Sequence, residues 1–292
     1  INKIEIQLEK FKKKRILNFD KNKKLFAIIK NYKLYDLLNC SLKKNKFFKK
    51  KKLILSNFLN DNNEIIINCD PNSELTKKFF YKSIKKIYDS IAYATIIKHK
   101  NIKKNDIAYQ VFTKFGPIAF LPISETETSI VYSVKKNNKL NLNDIINLIK
   151  KYNPKYFITK FEKIENFELI SSNLRSYNYN NILAFGDLLH RVHPLAGQGF
   201  NMSIRDIKEL SKIIENRIDL GLEINKSICL EFEKNLKHKN LLFSSGIDFV
   251  YEFFNLESKI QSNNLGKVVE FFGKNKSLTS FLTTIADDGI ST

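Results

Sequence analysis

Cysteine, methionine, tryptophan and glycine are all scarce in this 292-residue sequence, which contains three, one, none and nine of them. The cysteines, Cys40, Cys69 and Cys229, lie far apart and form no CxxC pair. A disulfide framework or a zinc site is therefore not expected, and the sequence predicts reduced thiols in the cytoplasm. No stretch approaches the roughly 20 apolar residues that a membrane-spanning helix needs, and no signal peptide is visible.

Arginine is also rare, although the chain is strongly basic, with a formal net charge of +20. Nearly all of this charge is lysine, a bias typical of drift toward AT-rich codons. Aromatic residues and arginines are not interleaved with the lysine runs, as platforms for single-stranded nucleic acid require. The sequence therefore predicts no specific nucleic-acid partner. The arginines are Arg15, Arg175, Arg191, Arg205 and Arg217.

The remaining composition is that of a globular protein, with 43% hydrophobic residues. "INKIEIQLEK" predicts a short strand that ends at Glu9, and "EIIINC" predicts a buried strand before the turn Asp70-Pro71-Asn72. Between residues 90 and 136, β-rich runs separated by polar turns predict an antiparallel sheet. "NLNDIINLIKKYN" predicts a helix capped by Asn141 or Asn143, and the chain from residue 200 onward follows an almost wholly helical pattern.

Two further segments have helical spacing. Tyr32, Tyr35, Leu38 and Leu42 recur at the period of a helix, and the charge run at 43–52 predicts its solvated end and a loop. "NLLFSSGIDFVYEFFNL" has apolar residues on most faces. It is interpreted as a core or subunit-packing helix, with an interfacial membrane anchor as the alternative.

The stretch "NILAFGDLLHRVHPLAGQGFNMSIRD", residues 181–206, differs in composition from the rest of the chain. Three of the nine glycines of the chain lie in a window of fourteen residues inside this stretch. The strand "ILAF" ends just before Asp187, and ligands bind at the carboxyl ends of strands in open α/β sheets. Gly197 and Gly199 allow close backbone approach before a helix, whose N-terminus favours negative charge. The helix is expected to bury Phe200, Ile204, Ile207, Leu210, Ile213 and Ile214.

"GDLLHRVHPLAGQGFNMSIRD" resembles the second flavin-binding motif of the FAD-dependent aromatic hydroxylases, and especially that of the ubiquinone-biosynthesis hydroxylases. The resemblance implies that Asp187 holds the ribityl chain of FAD and that Gly186 permits its close approach. It further implies that the isoalloxazine ring is lined by Pro194, Gly197, Gln198, Gly199 and Asn201.

In this family the cofactor carries the chemistry, with NAD(P)H as the reductant and O₂ as the source of oxygen. No side chain is then needed as a catalytic nucleophile, in agreement with the lack of a Ser/His/Asp signature. His190 and His193 have no third ligand nearby in the sequence, so no metal site is expected. Arg205 and Asp206 are expected to brace the helix through a local ion pair.

The sequence departs from the family pattern in its N-terminal part. No glycine precedes Gly116, so the GxGxxG fingerprint that binds the pyrophosphate is absent. "IEIQLEK" resembles the second strand of such a fold, where Glu9 would bind the adenosine ribose; a solvated strand end is the alternative. The DGxxS motif is replaced by Asp70-Pro71-Asn72-Ser73, in which Asp70 and Ser73 retain the polar groups. The chain is therefore expected to be a fragment that lacks its natural start, a mis-started reading frame or the product of a degenerating gene.

The resemblance implies an α/β (α+β) architecture: a partial FAD-binding flavoprotein-hydroxylase fold with an inserted antiparallel substrate sheet and a C-terminal helical region. The predicted divisions are residues 1–80 and 176–225 for the two parts of the FAD domain, 81–175 for the substrate domain and 226–292 for the helices.

The resemblance also implies hydroxylation of a lipophilic ubiquinone precursor, dependent on FAD, NAD(P)H and O₂. The expected location is the cytoplasm, peripheral on the inner membrane face and in contact with a ubiquinone-biosynthesis complex. One alternative is a non-catalytic, quinone-binding assembly subunit. The other is a nucleic-acid binder by charge alone.

Overall fold

The computed structural model describes residues 1–9, 15–20, 25–51, 65–138, 140–194 and 197–259. The helices predicted after residue 259 and most of the basic segment at 12–24 lie outside these residues. The chain divides into two compact units. Unit 1 comprises described residues within 1–52 and 89–168 together with 255–259, and unit 2 comprises those within 65–88 and 169–254. The segment at 1–80, predicted as one part of a domain, is thus divided between the two units.

Unit 1 is built on the predicted antiparallel sheet, which the structure confirms. It contains β4 (Ser83–His99), β5 (Ile107–Thr113), β6 (Gly116–Pro122) and β7 (Glu127–Lys135), in the order β4-β7-β6-β5. β5 to β7 form two hairpins, and β4 pairs with β7. β8 (Ile158–Phe161) pairs with β4. β1 (Lys3–Leu8) pairs with β5 in parallel and with β2 (Arg15–Asp20) in antiparallel register.

The core of unit 1 follows the alternation of its strands, because every second side chain of a strand faces the same side. Ile118, Phe120, Ile130 and Tyr132 are fully buried and pack together. Helix α3 (Leu142–Tyr152) covers this face with Ile145 and Ile149. Asn141 caps the helix and forms a reciprocal capping box with Asp144, so the first of the two predicted caps is the correct one.

The N-terminal helix α1 (Asn31–Lys44) forms where the spacing of tyrosines and leucines predicts it, but it buries none of its residues. The lysine-rich residues that follow it, up to Lys51, are exposed, as predicted.

Unit 2 contains a small sheet in the order β10 (Asn178–Tyr179), β11 (Ile182–Ala184) and β3 (Ile66–Asn68). β12 (His190–Arg191) pairs with β9 (Glu165–Leu174). Three helices complete the unit: α2 (Glu74–Phe79), α4 (Gln198–Asp219) and α5 (Ser227–Lys259). The core combines apolar residues of the small sheet with those of the helices, including Leu75, Leu183, Leu189, Leu210, Ile213 and Phe232.

The face of α4 predicted to be buried is only partly so, and the prediction is wrong for its first half. Leu210 and Ile213 are buried, whereas Phe200, Ile204 and Ile207 are each about half exposed. The buried residues of the first half are Met202 and Asp206, on a different side of the helix. The polar contacts of Asp206 account for this rotation, as described below.

Helix α5 is continuous over Ser227–Lys259, in agreement with the helical pattern predicted from residue 200 onward. Phe243 and Tyr251 are buried, in agreement with a packing role for this stretch. Within the described ranges, no helix combines the length and hydropathy needed to cross a membrane.

Candidate functional site

The candidate site begins where two neighbouring parallel strands of unit 2 end. β3 and β11 pair in parallel, with Asn68 opposite Ala184. The main-chain N–H of Phe185 donates to the carbonyl of Asn68 at 2.9 Å, which continues the pairing to the strand ends. The loops that carry Asp70 and Asp187 therefore leave the same edge of the sheet, the edge at which open α/β sheets bind ligands.

The first loop after β11 is a short 3-10 helix, Gly186–Leu188. Leu188 and Leu189 are buried and fix it to the core, whereas Asp187 is exposed. Gly186 has φ 63°, and no heavy atom lies within 4 Å of the position that a Cβ would occupy. The loop thus presents a carboxylate beside a backbone that a ligand can approach closely.

Helix α4 is in contact with this loop. Its N-cap, Gly197, has the left-handed conformation, with φ 64° and ψ 28°, and no side chain caps the helix. The position of a Cβ on Gly197 is also free of heavy atoms within 4 Å. The first-turn N–H groups of a helix need partners from outside it, and here Gly197 and Asn201 are exposed. This N-terminus is suited to an anion or an electron-rich group.

A buried polar pair joins α4 to the strand that follows the Asp187 loop. His190 Nε2 lies 2.5 Å from Asp206 Oδ2, and both side chains are fully buried. Asn240 of α5 donates to the other carboxylate oxygen at 3.1 Å. The predicted local pair between Arg205 and Asp206 is therefore corrected, because Asp206 bonds across to β12 and α5. Arg205 instead lies over the ring of Phe243, 4.2 Å from its centroid.

His193, next to Pro194, is buried among aromatic rings. Its ring meets those of Tyr88 and Tyr251 at centroid distances of 4.8 and 4.3 Å. Burial lowers the pKa of His193 to about 4, and the charge of Lys86 acts in the same direction. Within the described part of the chain, no cluster of His, Cys, Asp and Glu is suited to a metal ion.

The Asp70 loop is held by its own side chains. Asp70 Oδ1 accepts from the main-chain N–H of Asn72 at 2.8 Å, and Ser73 caps α2 by accepting from the N–H of Thr76. Asn68, which is buried, donates to the Thr76 hydroxyl at 2.8 Å. These bonds explain how the turn is stable with proline in place of glycine. Asp70 itself is exposed at the sheet edge that also carries Asp187.

Glu9 lies in unit 1 and is not brought into this arrangement by strand pairing, since β1 pairs with β5 and β2. Its carboxylate accepts from Tyr152 at 2.7 Å, from the main-chain N–H of Lys114 at 2.8 Å and from Lys151 at 3.3 Å. Burial raises the pKa of Glu9, but these hydrogen bonds outweigh it and leave the pKa below its usual value. These contacts place Glu9 at a strand end, as the alternative has it, but the side chain is only 27% exposed and is held by hydrogen bonds rather than solvated.

Eight of the nine predicted site residues lie in unit 2. Sequence reasoning missed the bond between His190 and Asp206 and the network around Asn68. The presence of His190 and Asp206 in one motif could have suggested the bond between them. The position of Asn68 among apolar residues gave no indication of its hydrogen-bond network. The eight residues are Asp70, Gly186, Asp187, Pro194, Gly197, Gln198, Gly199 and Asn201.

Comparison with known proteins gives results that agree with this geometry. Residues 76–219 match the FAD binding domain family. The chain is 25% identical over 233 residues to the mitochondrial ubiquinone biosynthesis monooxygenase COQ6 of Danio rerio, covering 65% of this chain and 48% of the relative. It is 27% identical over 168 residues to 3-demethoxyubiquinol 3-hydroxylase of Escherichia coli K12, covering 55% and 41%.

The fold is similar to that of p-nitrophenol 4-monooxygenase PnpA from Pseudomonas putida DLL-E4, with a TM-score of 0.76 and 10% identity. That similarity covers 98% of this chain and 81% of the other. The flavin-dependent brominase Bmp2 also resembles it, with a TM-score of 0.66, 11% identity and coverage of 98% and 82%. The chain spans about half the length of the first curated relatives that it matches.

Proposed function

We propose that the chain is a member of the superfamily of FAD-dependent aromatic hydroxylases and that unit 2 holds FAD at the carboxyl ends of β3 and β11. The proposed reaction is hydroxylation of an aromatic ring of a lipophilic ubiquinone precursor, with NAD(P)H and O₂ as co-substrates. The observations that carry the proposal are the contact between the Asp187 loop and α4 and the lack of a side-chain cap at the N-terminus of this helix. The ubiquinone-biosynthesis names of the curated relatives support the choice of substrate.

The residues at this edge fit a flavin. Gly186 and Gly197 each combine a positive φ with open space where a side chain would stand. The Asp187 carboxylate is exposed and, among the described residues, accepts no hydrogen bond, so it is free to accept those of ligand hydroxyls. Bound FAD would supply the redox chemistry, taking reducing equivalents from NAD(P)H and activating O₂.

The residues of the chain bind and orient the cofactor rather than react. Asp187 would accept hydrogen bonds from the ribityl chain, and Pro194, Gln198 and Asn201 would line the ring. The N-terminus of α4 would stabilise negative charge on the ring by roughly 0.3–2 kcal/mol. Since its pKa is near 4, His193 is neutral at pH 7 and adds no charge beside Pro194. Asp70 is a further candidate contact from the neighbouring loop.

The proposed site of action is the cytoplasm, at the surface of the inner membrane, where the protein would bind its lipophilic precursor. Contact with a ubiquinone-biosynthesis complex belongs to the same proposal. The excess of lysine in the chain supports attachment to anionic lipid.

The Asp187→Asn variant tests the flavin site directly. Loss of the carboxylate should weaken FAD binding roughly tenfold to hundredfold, because hydrogen bonds to charged groups contribute about 1.5–3 kcal/mol. FAD is titrated into the purified chain and followed by the quenching of flavin fluorescence. The matched control is Asp219→Asn, at the opposite end of α4, which should leave the affinity unchanged. Equal affinities for both variants, or no binding by the unaltered chain, would contradict the proposal.

A second candidate function is a quinone-binding assembly subunit without catalytic activity. It is favoured by Pro71, which stands where the DGxxS motif has glycine, and by the structural contacts of Glu9. Its signature is binding of a short-chain quinone that persists in the Asp187→Asn variant and without added FAD. Strict dependence of quinone binding on FAD would exclude it.

A further inference from the structure

Helix α1 presents an apolar stripe that the described part of unit 1 does not cover. Tyr32, Tyr35, Leu38 and Leu42 recur at helical spacing, and their side chains are 59%, 62%, 51% and 43% exposed. None of the residues of α1 is buried. A short helix in a protein is normally stabilised by packing its apolar face against a partner. The exposed stripe of α1 therefore indicates a partner outside the described residues.

The segment from α1 to its following loop is also strongly basic. Residues 31–51 contain seven lysines and a single acid, Asp36. Phe47 is 81% exposed, and the ammonium of Lys46 lies over its ring, 5.0 Å from the centroid. Exposed aromatic and aliphatic side chains combined with lysines are typical of helices that lie in the plane of an anionic membrane surface. The lysines are Lys33, Lys43, Lys44, Lys46, Lys49, Lys50 and Lys51.

The start of α1 is fixed to the body of unit 1. The amine of Lys30, the N-cap residue, pairs with Glu127 of β7 at 2.7 Å. The main-chain N–H of Leu25 donates to the carbonyl of Ile1 at 2.9 Å. Because the start of α1 is attached to the body of unit 1, a partner that binds α1 also holds the whole unit.

We propose that residues 29–51, called the α1 surface, dock unit 1 on an anionic lipid bilayer, with the apolar stripe in the headgroup layer and the lysines against the phosphates. The partner is lipid rather than nucleic acid, because the segment contains no arginine and its apolar residues form a continuous stripe. The biological purpose rests on the proposed function, since a lipophilic substrate resides in the membrane. The docking itself does not require flavin.

The experiment is co-sedimentation of the full chain with vesicles of phosphatidylcholine alone or mixed with phosphatidylglycerol, over a range of salt concentrations. One variant removes the stripe (Y35A/L38A/L42A) and one removes charge (K43Q/K44Q/K46Q). Because α1 buries nothing, neither is expected to unfold the protein. The matched controls alter exposed residues elsewhere: I218A/L220A/L222A for apolar area and K103Q/K104Q/K163Q for charge.

The expected result is binding to phosphatidylglycerol vesicles that weakens with salt. The lysine variant should bind on the order of a hundredfold more weakly, since each lysine near the surface contributes about fivefold, and the stripe variant at least about tenfold. Both controls should bind like the unaltered chain. No binding to anionic vesicles would overturn the proposal. Equal loss in both lysine variants, or loss of self-association instead of vesicle binding in the stripe variant, would also overturn it.

FAD titration of the same variants separates this inference from the proposed function. Weakened vesicle binding with unchanged FAD affinity supports the α1 surface. A failure of every form of the chain to bind FAD counts against the proposed function alone.

Discussion

At the scale of single residues, two glycines of unit 2 both have free space at the Cβ position but differ in their backbone φ angle. Gly197 has φ 64°, whereas Gly246 lies within α5 and has no positive φ; no heavy atom is within 4 Å of either Cβ position. Gly197→Ala should destabilise the fold by about 1–2 kcal/mol through left-handed strain. Gly246→Ala should stabilise it by about 0.5–1 kcal/mol through helix propensity. Urea unfolding of both variants measures this difference.

The same pair of variants reports on the flavin site. Gly197→Ala should also weaken FAD binding, since the methyl group enters the open space at the N-terminus of α4, whereas Gly246→Ala should not. Equal effects of the two substitutions on stability, or a stabilising effect of Gly197→Ala, would show that Gly197 does not have a left-handed backbone.

Burial of His193 makes the stability of the protein depend on pH. Its folded pKa, about 4, lies below the unfolded value of about 6.5, so the unfolded chain binds the proton more tightly. This contribution is fully present above pH 6.5 and is lost as the pH falls toward 4, by up to about 3 kcal/mol. The free energy of unfolding of the unaltered chain, measured at pH 7 and pH 5, is compared with that of His193→Gln. The exposed His238→Gln is the control, and an unchanged pH dependence in His193→Gln would refute the prediction.

At the scale of elements, Gly116 leaves no room for a side chain between the start of β6 and the backbone of β7. A Cβ on this residue would lie 2.0 Å from the main-chain oxygen of Ser133, and its φ is 138°. Gly116→Ala should therefore destabilise unit 1 by about 3 kcal/mol or more, because backbone must move to admit the methyl group. Thermal unfolding followed by circular dichroism tests this, and a loss of less than about 1 kcal/mol would contradict it. Ala119→Gly, in the middle of the same strand, serves as a backbone control.

Elements with strong local signals could be predicted from the sequence. β5 follows the run "IAYQVFT", and α3 follows its capping residue Asn141. The burial of α4 could not be predicted, because periodicity identifies an apolar face but not the partner that covers it. The bonds from Asp206 to His190 and Asn240 turn a different side of the helix inward, so Phe200 and Ile204 stay exposed.

Some residues of the candidate site could likewise be predicted from the sequence, and others could not. Asp187 and Gly197 are close in sequence, and their motif contains the turn and the helix start that bring them together. The position of Asp70 required only the pairing of β3 with β11. The position of Glu9 depended on which strand β1 would join, and single-strand patterns do not specify a neighbour. The role of Glu9 as a ribose contact stays a prediction that its present contacts disfavour.

At the scale of the whole molecule, the division into two units predicts where a ligand stabilises the protein. FAD at one hundred times its Kd should stabilise the native state by about 2.7 kcal/mol. Hydrogen exchange should show slower opening of amides in β3, β11 and α4, whereas those of β5, β6 and β7 should change little. The measurement compares exchange by mass spectrometry with and without FAD. Uniform protection of both units would contradict the assignment of the site to unit 2.

The parallel pairing of β3 with β11 also has a consequence for how the protein acquires its shape. The two strands are more than one hundred residues apart in the chain, and the whole meander of unit 1 lies between them. Closing so long a loop costs entropy that local hairpins do not. The meander can form early, because its strands are near neighbours in sequence. The proposed flavin site can form only after β3 has paired with β11. A nascent chain is therefore expected to gain its sheet before it can capture a flavin.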